Sequence, residues 1–260
     1  MKILTAIPVY NEERHLDDVL REVRRYAPNI LIVNDGSIDR TPQLLASQCL
    51  SPSVRVDVGE GNALHVVTHE KNRGYGSALI SAFDYALHTD YDVLVTMDCD
   101  GQHEPARIPV LLEAIHDADV VSGSRYLRDF RQDTLPTPVE RRYINETITR
   151  ELNEVLGLNL TDAFCGFKAY RVPALAKLHI TERGWGMPLQ MWVQAAQLGL
   201  RVKEVGVPRL YLDPNRTFGV LNDAGERLAY YRRVICDALA ESSNPCDWPT
   251  PLHPTSRSCH

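Results

Sequence analysis

The stretch "VTMDCDGQH", residues 95–103, holds two aspartates one residue apart, Asp98 and Asp100, with Gln102 and His103 close behind. Hard divalent cations such as Mg²⁺ take one or two protein carboxylates and complete their shell with phosphate oxygens and water. Two carboxylates alone make a weak, open site that a diphosphate would complete. The same residues also suit a polar turn that ends a strand and caps a helix. Three other polar clusters bear on the choice: Tyr10-Asn11-Glu12, Asn34-Asp35-Gly36-Ser37 and Asn72-Arg73-Gly74. Arginines gather further on, at 125, 128 and 131 and then at 141, 142 and 150. They read either as a solvated basic face or as a site for anions.

The elements around these clusters decide more than any cluster alone. Residues 2–9 form a short apolar run rich in β-branched residues, which reads as a buried strand. Residues 11–27 place Leu16, Val19, Leu20 and Val23 on one helical face. Strands are then expected at 29–37, 64–69, 91–98 and 118–124, with helices at 39–49, 74–88 and 105–117. This alternation predicts an α/β fold, a parallel sheet covered by helices on both faces. Ligands of such sheets bind at the carboxyl ends of the strands. All four polar clusters sit there. After residue 125 the rhythm changes to a loop, a helix at 139–157, a strand-like segment at 165–172, a short helix from Pro173, a helix at 188–199, an extended stretch at 201–212 and a last helix at 220–241. Residues 1–124 read as one half of a single domain and 125–241 as the other. The Pro- and Ser-rich tail 242–260 reads as disordered.

Composition excludes several classes. The chain has 260 residues, 44% hydrophobic and 24% charged, in the range of a soluble globular protein. A net charge of −6 does not suit a protein that coats nucleic acid. The six cysteines form no CxxC pair, so free thiols in a reducing compartment are expected and zinc is not. No glycine-rich dinucleotide fingerprint and no phosphate-binding P-loop follows the first strand. The N-terminus turns polar within about ten residues and no run approaches the ~20 residues that span a bilayer. A cytoplasmic protein, at most peripheral on a membrane, is therefore expected.

The motifs "IPVYNEE", "VNDGSIDRT", "NRGYGSAL", "MDCDGQHEP", "GSRY" and "CGFKAYR" occur in an order and spacing that resemble glycosyltransferase family 2. The likeness is greatest to its dolichol- and polyprenyl-phosphate mannosyl- and glucosyltransferase branch, over roughly residues 1–220. The resemblance implies the GT-A fold, a Rossmann-like, mostly parallel sheet flanked by helices with a smaller acceptor-side region, together with a nucleotide-diphosphate sugar donor of the GDP-mannose or UDP-glucose type, Mg²⁺ or Mn²⁺, and inversion at the anomeric carbon. It implies a nucleotide-sugar pocket of Pro8, Tyr10, Asn11, Glu12, Asp35, Lys71, Arg73, Gly74 and Asp98. Asp100 would bind the metal, with Asp98 and Gln102 beside it. Arg125 would meet a donor or acceptor phosphate, and Arg141, Arg142 and Arg216 would serve the phosphate of a polyprenyl acceptor. Its implied partners are polyprenyl phosphate at a membrane surface and a small membrane-anchoring subunit or a second copy. His103 reads equally as a capping residue.

Two positions depart from the branch. Gln190, in "GWGMPLQM", stands where the branch carries an acid, and Leu221 stands where it carries a serine. Glutamine cannot take a proton, so Gln190 raises an alternative: a module that binds the nucleotide sugar without turnover, or a transferase with a non-lipid acceptor. A sugar-phosphate nucleotidyltransferase would begin instead with a glycine-rich loop. Trp185, Met187 and Trp192 are candidates for an apolar lip, with Trp192 reading more readily as core.

Overall fold

The computed structural model describes residues 1–50, 63–131, 133–134, 137–210 and 223–241. Seven strands form one sheet: β1 (Ile3–Val9), β2 (Asn29–Asn34), β3 (Ala63–Thr68), β4 (Val93–Thr96), β5 (Val120–Ser124), β6 (Lys168–Arg171) and β7 (Val202–Gly206). The helices are α1 (Leu16–Val23), α2 (Thr41–Leu50), α3 (Tyr75–Leu87), α4 (Ile108–Ala114), α5 (Val139–Leu156), α6 (Val172–Leu175), α7 (Met187–Gln197) and α8 (Ala224–Ala240). The strand order is β3-β2-β1-β4-β6-β5-β7. Period-two alternation splits each strand between two apolar layers. Leu31 and Val33 of β2 face α3, α5, α7 and α8, whereas Ile30 and Ile32 face α1 and α4. The predicted face of α1, Leu16, Val19, Leu20 and Val23, is the one buried.

The sheet is mixed rather than wholly parallel. β1, β2, β3 and β4 run parallel, as do β5 and β7. β6 lies antiparallel between β4 and β5, pairing Lys168 with both Thr96 and Ser122. The direction of β6 has a consequence for the site. An antiparallel strand starts where its neighbours end, so the segment leading into β6 lies at the carboxyl ends of β4 and β5. That is the edge at which Asp98 and Arg125 emerge. The helix expected at 105–117 is α4 flanked by two short 3-10 turns. The tail 242–260 lies outside the described residues.

Candidate active site

Asp98 leaves the end of β4 and is gripped from both sides. The Tyr75 hydroxyl at the start of α3 donates to Asp98 Oδ1 at 3.0 Å. The Asp98 backbone N–H donates to His103 Nδ1 at 3.0 Å, which closes the turn 98–103. That turn needs Gly101 at φ 74°, where glycine has no Cβ to clash. The Nδ1 of His103 is thereby an acceptor, leaving Nε2 as the N–H, 3.9 Å from Asp98 Oδ2. Burial holds the His103 imidazole below its ordinary pKa, against the opposing pull of Asp98. Burial, then the Asp98 carboxylate, pushes the Tyr75 phenol well above its ordinary value, so it remains a hydrogen-bond donor. Asp100 Oδ1 accepts the Gln102 N–H at 3.0 Å.

The segment before β6 closes over the same carboxylate. A Cβ on Gly166 would lie 2.7 Å from Tyr75 Oη and 2.8 Å from Asp98 Oδ2, so a larger residue would push the phenol and the acid aside. The carbonyls of Cys165, Gly166 and Phe167 accept from Lys168 Nζ, Thr96 Oγ1 and the Gly123 N–H. Just upstream, Asp162 is fully buried and takes a bidentate grip from Arg125, Nε at 2.7 Å and Nη2 at 2.9 Å. Asn145 of α5 adds a third hydrogen bond at 2.8 Å. Burial raises the Asp162 pKa, but the Arg125 guanidinium and these hydrogen bonds outweigh it and hold the carboxyl below its ordinary value.

The loops after β1, β2 and β3 are tied to one another at the same edge. Asn11, at φ 56°, donates its N–H to Ser37 Oγ and accepts from the Ile38 N–H. The buried Asp35 carboxylate accepts the N–H groups of Arg73 and Gly74, each at 2.9 Å, and pairs with His69 Nδ1 at 2.6 Å. Asp35 thus organises the loop that carries Lys71, Arg73 and Gly74. Pro8 is half-buried at the end of β1, Glu12 pairs with His15 at 2.8 Å, and Tyr10 is exposed.

An open cavity of about 160 Å³ lies at Asp98; of the residues expected in a nucleotide-sugar pocket, only Asp98 lines it, and Pro8, Tyr10, Asn11, Glu12, Asp35, Lys71, Arg73 and Gly74 do not. Asp98, Asp100, Gln102, His103, Arg125 and Arg141 line it, so the structure brings together most of the residues expected around a metal and a phosphate. Tyr75, Asn145, Phe164, Gly166, Trp185, Arg227 and Tyr231 complete much of the wall. Arg142 does not line it; its side chain lies on the exposed surface of α5 and pairs with Glu146 at 2.7 Å. Trp185 lines the cavity and stacks on Tyr75 at 4.9 Å, whereas Met187 and Trp192 are buried in the core. Arg216 and Leu221 lie outside the described residues.

Gln190 is not at the cavity. It is buried, and its Oε1 accepts the N–H groups of Thr181 and Glu182 at 2.9 and 2.8 Å while Nε2 donates to Thr181 Oγ1. A carboxylate there would meet the same two N–H groups. The residue is a backbone clamp, and the doubt it raised about turnover does not follow from its position.

The donor set at Asp98 and Asp100 is all oxygen. Among the described residues no group of three or more His, Cys, Asp or Glu is placed to hold an ion. These residues fit a hard cation that draws the rest of its shell from phosphate and water, and do not fit a closed protein cage. Sequence reasoning missed Tyr75, Asp162 and Arg227. Arg227 carried a readable signal: it interrupts the apolar stripe of α8 four residues before Tyr231.

Residues 5–178 match Glycosyl transferase family 2. The chain belongs to this family. It is 35% identical to the undecaprenyl-phosphate mannosyltransferase of Micrococcus luteus over 80% of this chain and 83% of that one. It is 31% identical to the polyprenol monophosphomannose synthase of Mycolicibacterium smegmatis, over 79% and 76%. The glucosyl-3-phosphoglycerate synthase of Mycobacterium tuberculosis, solved with Mn²⁺, UDP and glucosyl-3-phosphoglycerate, superposes with a TM-score of 0.67 at 19% identity, covering 95% of this chain and 81% of that one. The same enzyme was also solved with Mg²⁺ and UDP. The family 2 chain is thus a glycosyltransferase with the GT-A fold. Among its described residues no helix is long and apolar enough to cross a membrane.

Proposed function

We propose that this glycosyltransferase moves a hexose from a nucleoside-diphosphate donor, of the GDP-mannose or UDP-glucose type, to a polyprenyl phosphate, with inversion at the anomeric carbon. The observation that carries this reading is the make-up of the cavity at Asp98. Carboxylates, guanidinium groups and aromatic rings line it together. The acids suit a metal-bound diphosphate, the arginines a second phosphate, and the rings an isoprenoid. The two relatives named above, whose names speak of lipid-phosphate mannosyl transfer, support the same acceptor.

The residues have separable tasks. Mg²⁺ or Mn²⁺, held by Asp100 and Asp98 with Gln102 beside them, would neutralise the charge that develops on the leaving nucleoside diphosphate. Tyr75 holds the Asp98 carboxylate and His103 its backbone N–H before substrate arrives, so little reorganisation is left for the reaction. Pro8, Tyr10, Asn11, Glu12, Lys71, Arg73 and Gly74, on the loops tied by Asp35, would frame the nucleotide. In a single displacement an acceptor phosphate oxygen forms the new bond to the anomeric carbon as the bond to the diphosphate oxygen breaks. A phosphate monoester has its second pKa near 6 and is mostly dianionic at neutral pH. The acceptor therefore needs no strong base, in keeping with a cavity that Gln190 does not line.

The test is transfer from radiolabelled donor to polyprenyl phosphate in detergent, with Mn²⁺ titrated. Asp100→Asn is expected to lose about 10²-fold or more in kcat with its fold intact. Equal activity of the variant would remove the metal role. Transfer to a non-lipid acceptor and none to polyprenyl phosphate would remove the acceptor.

A further inference from the structure

α8 buries one stripe of side chains: Arg227, Tyr231, Val234, Ile235 and Ala238. From Tyr231 onward the stripe packs in the core beside α5 and α7. Its first member is a guanidinium, and Arg227 is only 5% exposed. Burying a cation costs several kcal/mol unless a well-placed anion compensates. Alongside its other contacts, Arg227 forms an ion pair with Glu140 at 3.5 Å, and the Glu140 side chain is 53% exposed. This ion pair is long, and its carboxylate already reaches water. Arg125, which also lines the cavity, differs. Its partner Asp162 is fully buried and fixed by Asn145 as well, so that pair cannot open cheaply.

Position narrows the role further. Arg227 and Tyr231 line the cavity from α8, next to Arg141 and Asn145 from α5. The Phe164 and Tyr231 rings lie 4.8 Å apart beside them. None of these residues comes from β1, β2 or β3, whose loops form the donor half. The surroundings are cationic and then aromatic, which suits a phosphate joined to an apolar chain. A guanidinium presents a planar fork that binds phosphate through two parallel hydrogen bonds.

We propose that Arg227 is an acceptor-binding residue: its guanidinium takes the acceptor phosphate, and Glu140 is the counter-ion that the phosphate displaces. The proposal rests on transfer to a polyprenyl phosphate as set out above. It assigns opposite effects to the two partners. Loss of Arg227 weakens acceptor binding, and loss of the Glu140 charge strengthens it because one competitor is removed.

Steady-state kinetics with donor and acceptor varied separately tests this. Arg227→Gln is expected to raise acceptor KM about ten- to hundredfold, the cost of one charge-assisted contact, with donor KM within about twofold. Arg227→Lys is expected to fall between, since an ammonium keeps the charge and loses the fork. Glu140→Gln is expected to lower acceptor KM about two- to fivefold. A rise in donor KM instead would place the guanidinium on the donor diphosphate and overturn the proposal. Unchanged KM values with lowered thermal midpoints in both variants would show a mere tie between α5 and α8. Should Arg227→Gln fail to fold, Arg227→Lys and the half-exposed Glu140→Gln still decide the sign. If the wild type uses a different phosphate-bearing acceptor and Arg227→Gln raises its KM, the polyprenyl reading falls and this one stands.

Discussion

Single residues divide here into those that face the reaction and those that hold the ones that do. Asp98, which lines the cavity and is proposed to be of the first kind, has Tyr75, His103 and Gly166 arranged around it. The Asp-x-Asp was legible only in company: alone it suits a strand-end turn, and the polar clusters at the neighbouring strand ends made it a candidate site. Its three supporters were not, because a tyrosine, a histidine and a glycine from distant segments leave no spacing to read. Gln190 is the opposite lesson. A residue that departs from the family pattern drew a functional reading, yet its amide clamps the 181–182 backbone away from the cavity. Gln190→Glu is therefore expected to leave kcat/KM within about twofold, because an acid here gains no contact with substrate and the acceptor phosphate needs no base. A rise of about tenfold or more in transfer rate would mean that this position acts as a base after all. Gln190→Ala would strip two part-buried N–H groups of their acceptor and is expected to cost about 1–3 kcal/mol of stability, read from a denaturant midpoint.

At the scale of elements, hydrophobic periodicity located the strands and helices but carried no information about direction. The strand-like run that became β6 looks the same read parallel or antiparallel. Only its pairing with β4 and β5 shows that residues 162–167 return to the carboxyl edge. Asp162 is the pin of that return, binding Arg125 after β5, Asn145 on α5 and the Phe164 N–H. Its folded pKa is lowered, so its contribution to stability is full above the ordinary carboxylate pKa of about 3.9 and is lost as pH falls through the lower folded value. Removing one partner of a buried pair costs about 3–5 kcal/mol. Asp162→Asn is therefore expected to melt well below the wild type at pH 7, with the gap closing once pH drops below about 3.9. Thermal midpoints of both proteins across pH 2–7 check this; a gap that stayed constant with pH would show that the charge of Asp162 is not what stabilises the fold.

For the whole molecule, the sequence suggested two halves meeting near residue 124, a donor half of alternating strands and helices and an acceptor half that begins with the arginines. The site is built across that seam, with Asp98 and Asp100 before it and Arg141, Phe164 and Arg227 after it. The sheet crosses it too. β4 and β5 do not pair with each other; β6 stands between them, and β7 covers the outer side of β5. A chain cut at residue 124 would leave β5 without either neighbour and expose the fully buried Val120 and Val121 to water. Each such valine forfeits about 1.5–3 kcal/mol of burial, and the two together are a large fraction of the roughly 5–15 kcal/mol that holds an ordinary domain folded. The halves are therefore expected to unfold together. The chain offers a clean reporter, since all three tryptophans, Trp185, Trp192 and Trp248, lie beyond residue 124. Tryptophan fluorescence follows the acceptor half and far-ultraviolet circular dichroism follows both, and their denaturation curves should coincide. A nucleoside diphosphate with Mn²⁺ should then shift both curves equally, because a ligand that binds only the folded state stabilises the whole cooperative unit. Two separated transitions, with only the dichroism curve moved by nucleotide, would make the donor half a unit of its own.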